Sequence, residues 1–117
     1  MKLYTSRITY KGPNRLDITV KSATSLGKIW APTWEIVMGA KNGIISEQEY
    51  KEKYLQLMRT SLSLNKRAWM ALLMKEELVI CCYCKAGDFC HRLILAKEIL
   101  PKLCERYGIP YQYMGEI

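Results

Sequence analysis

Leu78-Val79-Ile80-Cys81-Cys82-Tyr83 runs into Cys84-Lys85-Ala86-Gly87-Asp88 and then into Phe89-Cys90-His91-Arg92-Leu93. The first segment is short and almost wholly apolar, as a strand covered on both faces must be. The second is a polar loop with a glycine. From Phe89 onward, apolar residues recur at helical spacing through Leu93, Ala96, Leu100, Leu103 and Tyr107. Strand, loop and helix in that order predict an α/β fold with a parallel sheet. Asp88 is the predicted N-cap of the helix. Pro101 falls inside the stripe and predicts a kink or break there. Gly108 reads as a helix stop, and Ile109-Pro110-Tyr111-Gln112-Tyr113 as a last strand, closing a strand–helix–strand crossover with a parallel pair.

Working outward, Asn65 predicts the cap of a helix that buries Trp69, Leu72 and Leu73. Ser46-Glu47-Gln48-Glu49 is a capping box. It predicts a helix over 47–61 with Tyr50, Tyr54, Leu57 and Met58 as its buried stripe. Trp30-Ala31-Pro32-Thr33-Trp34 leads into a helical segment over 35–40 that Asn42-Gly43 ends. Leu16-Asp17-Ile18-Thr19-Val20 alternates as a short strand does, and a first strand is predicted over 2–5. With 117 residues the chain is read as one domain over 1–117, a compact Rossmann-like α/β unit whose small, mostly parallel sheet is flanked by helices.

The formal net charge is +7, and it is uneven. Residues 1–30 carry Lys2, Arg7, Lys11, Arg15, Lys21 and Lys28 against Asp17 alone. Such an excess favours a phosphate-bearing partner. No basic helix with heptads, zinc finger or helix-turn-helix accompanies it. No apolar run approaches the ~20 residues of a membrane span, and the start of the chain has no apolar signal core, so the expected location is the cytoplasm, away from membranes. Five cysteines, two of them adjacent, make a poor disulfide framework and fit a reducing compartment.

In a parallel sheet, ligands collect at the carboxyl ends of the strands. A helix N-terminus there offers free N–H groups and the positive end of its dipole to an anion. Lys85, His91 and Arg92 are read as holding a phosphate, with Gly87 permitting close approach and Asp88 at the cap. Arg7, Asp17 and Trp34 are placed beside them as further ligand-binding residues. Arg92 is taken to face solvent, so that its removal weakens binding and leaves the fold intact. The Gly-x-x-x-x-Gly-Lys-Ser/Thr phosphate loop is absent. So is the Cys-x5-Arg signature, because Cys90 stands six residues after Cys84 and the arginine two further on.

Cys84, Cys90 and His91 are the catalytic candidates. Positive charge and a helix start lower a thiol pKa, while a histidine at a helix N-terminus resists protonation. Metal ligation by Cys82, Cys84, Cys90 and His91 is disfavoured, since neighbours on a helix diverge by about a hundred degrees. The reading is no metal and no cofactor. Cys81 and Cys104 are read as small buried hydrophobes. Loop tryptophans Trp30 and Trp34 either stack on a base or plug the core. Three functions follow: binding of a nucleotide-type, phosphate-bearing small molecule; an enzyme acting on such a molecule through a cysteine or His91; or a basic nucleic-acid or protein-interaction module.

Val79 through Arg92, continuing Leu93-Ile94-Leu95-Ala96, resembles the family known as domain of unknown function number 488. The shared pattern is an apolar strand ending in cysteine, a short polar loop, and Cys90-His91-Arg92 opening a helix. Leu3-Tyr4-Thr5-Ser6-Arg7 and the acidic Asp17 in Leu16-Asp17-Ile18 are similar to its amino-terminal strands. The chain departs from the pattern in lacking the acidic residue that often follows the strand cysteine. The resemblance implies a compact α/β fold with a parallel sheet and no settled activity. It is to the phage-type members, which implies roles in binding or blocking a host molecule.

Overall fold

The computed structural model describes residues 1–84 and 89–117. Its strands are β1 (Lys2–Arg7), β2 (Arg15–Asp17), β3 (Glu77–Cys82) and β4 (Gln112–Glu116). All four are parallel, in the order β2-β3-β1-β4. The apolar run over 78–82 forms a strand next to the middle of this sheet, with Leu78 through Cys82 all buried. It is flanked by β1 on one side and β2 on the other. The last strand begins three residues later than its sequence predicts. It pairs with β1, not with β3, so the carboxyl-terminal crossover passes over β1.

Between β2 and β3 lie a 3-10 turn (Gly27–Trp30) and helices α1 (Trp34–Lys41), α2 (Glu47–Leu64) and α3 (Lys66–Leu73). The capping box forms at α2: the Ser46 hydroxyl accepts from the Glu49 N–H, and the Glu49 carboxylate accepts from the Ser46 N–H. The helix runs one turn further than predicted. Its buried face is Tyr50, Tyr54, Met58 and Ser61. Thr33, not Pro32, starts α1, its hydroxyl accepting from the Ile36 N–H. Asn65 stands at the cap of α3, but its side chain donates back to the Ser61 carbonyl and caps nothing. Trp69, Leu72 and Leu73 face inward as the periodicity requires.

After β3 the chain enters α4 (His91–Ile94), a π turn (Leu95–Ile99) and α5 (Leu100–Arg106). The N-cap is Cys90, in extended conformation; Phe89 lies outside the helix and is exposed. Asp88, the predicted cap, lies outside the described residues. Pro101 has no N–H to give to the carbonyl four residues back. Just ahead of it the Leu100 N–H reaches five residues back to Leu95, which resets the register without ending the helix. This late start and extra residue make Ile94, Leu95, Ala96, Leu100 and Cys104 the buried face. Gly108, at a φ of 68°, ends α5, with Gly108 and Ile109 donating to the carbonyls of Glu105 and Cys104.

The core joins these helices to β1 and β3 through Leu3, Ile80, Tyr54, Met58, Trp69, Leu95 and Leu100. Trp30 plugs it, edge-on to Trp69 with ring centroids 5.6 Å apart. No helix among the described residues is long and apolar enough to cross a membrane.

Asp17 ends β2 early. Its carboxylate accepts from the Thr19 N–H at 2.8 Å, the Thr19 hydroxyl at 2.7 Å and the Ser22 hydroxyl at 2.6 Å. A side chain that bonds its own downstream backbone favours a turn over a strand. The loop so formed lies against Gly27, where an added Cβ would stand 1.9 Å from the Asp17 carbonyl oxygen. Gly27→Ala is therefore expected to displace the 17–27 segment and cost about 1–3 kcal/mol, as overpacking does. Urea denaturation checks this; an unchanged midpoint would show that the segment yields freely.

Candidate functional site

Three strands deliver their carboxyl ends to one place. β1 ends in Arg7, whose register partner on β3 is Cys82. β2 leads into Ile18, and β3 into Cys82, Tyr83 and Cys84. The start of α4 closes the site with Cys90, His91 and Arg92.

Cys82 and Cys90 are buried, with their Sγ atoms 2.7 Å apart. Cys84 is only partly buried, and its thiol interacts with both. Those interactions with Cys82 and Cys90, helped by the charge of Arg92, outweigh burial and hold the Cys84 thiol well below its ordinary value. The same interactions push the Cys90 thiol up. Of the three, the accessible Cys84 is the one whose ionisation these contacts favour, while Cys82 and Cys90 are pushed up. A thiolate in a partly exposed, electropositive setting is the reactive form of cysteine.

Arg92 supplies the positive charge from inside the protein. It is fully buried. Its Nη1 donates to the Cys82 Sγ at 2.7 Å and to the Cys84 carbonyl at 3.0 Å. Its Nε and Nη2 donate to the two carboxylate oxygens of Glu116, at 3.3 and 2.9 Å. The solvent-facing anion binder expected from the sequence is therefore a buried strut between the thiols and the last strand. An arginine fork suits this, because it bonds a carboxylate in bidentate fashion and keeps a further N–H for sulfur.

His91 is buried too. Its Nε2–H donates to the Ile18 carbonyl at 2.8 Å, which leaves Nδ1 as an acceptor 3.4 Å from the Tyr50 hydroxyl and 3.5 Å from the Cys90 Sγ. Burial lowers its pKa to about 4 against the favourable Ile18 bond, so the ring is neutral near pH 7. The expectation that His91 resists protonation holds, but desolvation is the leading cause. Tyr54 stacks edge-on against the ring at 5.6 Å and donates its hydroxyl proton to the Trp30 carbonyl.

Arg7 is exposed at the carboxyl end of β1, beside the thiol strand. Asp17 lies close enough to influence His91, but its oxygens serve the Thr19–Ser22 turn. Burial opposes its ionisation; the bonds from Ser22 and Thr19 outweigh that and hold its carboxyl below the usual value. Trp34 is exposed, with the Lys21 Nζ 4.6 Å above its ring, and among the described residues no hydrogen bond or ring contact joins it to the thiols. Lys85, Gly87 and Asp88 lie outside the described residues. Sequence reasoning missed Tyr50 and Glu116. Tyr50 is legible only as one member of the α2 stripe, and nothing local marks Glu116 as the partner of Arg92.

The ligand atoms of Cys82, Cys90 and His91 all fall within 4.8 Å of one another. The predicted divergence of Cys90 and His91 does not occur, because Cys90 precedes the helix in extended backbone. Two thiolates on a tetrahedral zinc at ~2.3 Å stand about 3.8 Å apart, however. The 2.7 Å between Cys82 and Cys90 is shorter than that separation. Two cavities, of about 550 Å³ beside Ile36 and Lys53 and about 290 Å³ beside Arg15 and Lys75, are lined by none of the thiols.

The family model described as "DUF488-N3a: Active DUF488-N3 subclade" matches residues 4–103. The chain belongs to the DUF488 family. The match extends from β1 through the start of α5, so it covers the thiols, His91 and Arg92 and stops short of Glu116. No curated protein and no solved structure matches the chain.

Proposed function

We propose that this DUF488 protein is an enzyme that uses the Cys84 thiolate as a nucleophile on a phosphate-bearing, nucleotide-type small molecule at the carboxyl edge of the sheet. The observation that carries this reading is the division of labour in the thiol trio. Cys82 and Cys90 are buried against Arg92 and His91, and the accessible Cys84 is the thiol whose ionisation they favour. A nucleophile needs a lowered pKa and access together. Arg92 acts as a positioning residue whose guanidinium favours the Cys84 thiolate. Neutral His91 holds the α4 start to the β2 loop through the Ile18 carbonyl and is no cationic acid near pH 7.

The exposed Arg7 beside the thiol strand, together with the basic amino-terminal quarter, supports an anionic substrate. The subclade's description as active supports a catalytic site.

Alkylation tests this directly. At pH 6 an ordinary thiol, with a pKa near 8.5, is less than about one per cent thiolate. Iodoacetamide is expected to label the folded protein once, at Cys84, and to leave Cys84→Ser unlabelled. A nucleotide that raises the melting temperature by mass action should also slow the labelling. Labelling that reaches Cys84 no faster than Cys81 or Cys104 would overturn the nucleophile. Tight duplex binding with a steep salt slope, and no response to any nucleotide, would replace the small substrate by nucleic acid.

A further inference from the structure

We infer that the three thiols form a peroxide-responsive relay in which Cys84 takes the oxidant and the buried Cys82–Cys90 pair stores the oxidation as a reversible disulfide. The inference rests on the proposed reactivity of Cys84 and adds a regulatory modification of the same site.

The geometry is that of two buried sulfurs behind one accessible sulfur. Cys82 and Cys90 stand 2.7 Å apart, and each is 1 % exposed. A disulfide needs about 2.05 Å between sulfurs, so a small rotation of either side chain closes the gap. Neither sulfur is open to a peroxide from solvent, whereas Cys84 is partly exposed and in interaction with both. Cys81 and Cys104 are buried elsewhere: the Cys81 Sγ points to the Val79 carbonyl, and Cys104 packs in the core.

The steps balance with a peroxide as oxidant. The Cys84 thiolate attacks a peroxide oxygen, the O–O bond breaks, and the departing alkoxide or hydroxide takes a proton from solvent. Cys84 becomes a sulfenic acid. The Cys90 sulfur attacks it, the S–O bond breaks, and the hydroxyl leaves as water with the Cys90 proton. Cys82 then attacks the Cys90 sulfur of the Cys84–Cys90 disulfide. Cys84 departs as thiolate and the Cys82 proton passes to solvent. In sum, two thiols lose two electrons to one peroxide. Cys84 and burial push the Cys82 thiol up, and the Arg92 Nη1 at 2.7 Å offsets part of that rise, so Cys82 gives up its proton as it attacks. The product locks β3 to the start of α4, and a thiol reductant restores the trio.

Trypsin separates the sulfurs, since peptide 76–85 holds Cys81, Cys82 and Cys84 and peptide 86–92 holds Cys90. Reduced protein treated with hydrogen peroxide, alkylated and digested should yield these two peptides joined. Fragmentation should assign the bond to Cys82–Cys90 with Cys84 alkylated, and dithiothreitol should abolish it. Cys84→Ser should form the same bond roughly tenfold more slowly. The double variant Cys82→Ser, Cys90→Ser should stop at a Cys84 sulfenic acid that dimedone traps. Fast alkylation of Cys84 without any joined peptide after peroxide would overturn the relay and leave the nucleophile standing. Joined peptides at equal rates in the wild type and Cys84→Ser would overturn the role of Cys84 in it.

Discussion

Replacing Arg92 by alanine is expected to cost about 3–5 kcal/mol, a large share of the 5–15 kcal/mol that holds a domain together. The guanidinium is fully buried and joins β3, the start of α4 and β4 through Cys82, Cys84 and Glu116. Its removal leaves the Glu116 carboxylate without its bidentate partner and opens a cavity beside the thiols. Glu116 keeps some contact with solvent and can rehydrate in part, which favours the lower end of that range. Arg92→Lys retains the charge but has one compact ammonium for partners on β3, just past it at Cys84 and on β4, so it should recover only a fraction of the loss. Urea denaturation of the three proteins measures this. A difference within about 0.5 kcal/mol of wild type would place Arg92→Ala among ordinary surface substitutions and contradict the strut.

Acid is expected to destabilise the protein through His91. Its folded pKa is about 4 and its ordinary value 6.5, so the unfolded chain binds a proton that the folded protein refuses. The stabilising effect is fully present above pH 6.5 and is lost as pH falls toward 4, at about 1.4 kcal/mol per pH unit and about 3 kcal/mol in all. His91→Gln keeps a donor for the Ile18 carbonyl and has nothing to titrate. It should be less stable than wild type at pH 7, and the difference should shrink steadily toward pH 4. The Asp17 carboxyl, held below the usual range, adds its own acid sensitivity to both proteins and cancels in the comparison. Parallel stability curves for the two proteins would show that the ring is already protonated in the folded state, or is not buried in solution.

The two variants separate roles that the sequence places side by side. Cys90, His91 and Arg92 are consecutive, yet each serves a different purpose. Cys90 leaves extended backbone toward Cys82, His91 turns to the β2 loop, and Arg92 joins β3 to the last strand. A helix start allows this because the residue before it is not bound to helical geometry.

The class of fold was legible in the residue order alone, and so was the stretch that forms the candidate site. An apolar run too short for a helix, a polar loop and a resumed 3.6-residue period were enough to predict a parallel sheet with a site at the carboxyl end of β3. The capping box fixed the start of α2 because it is a local bond between residues three apart. Local signals misled first where a second local signal outweighed them. The Asp17 turn cut short an alternating strand, and Pro101 shifted a helix by one residue without breaking it. Which groups are buried, and whom they meet, follows from packing between residues far apart in the chain. Arg92 looked like a solvent-facing cation because its partner Glu116 lies 24 residues away on a strand on the far side of β1. Burial then reverses its chemistry: an arginine in water offers its charge to a ligand, whereas one enclosed beside sulfur and carboxylate spends it on the protein's own thiols.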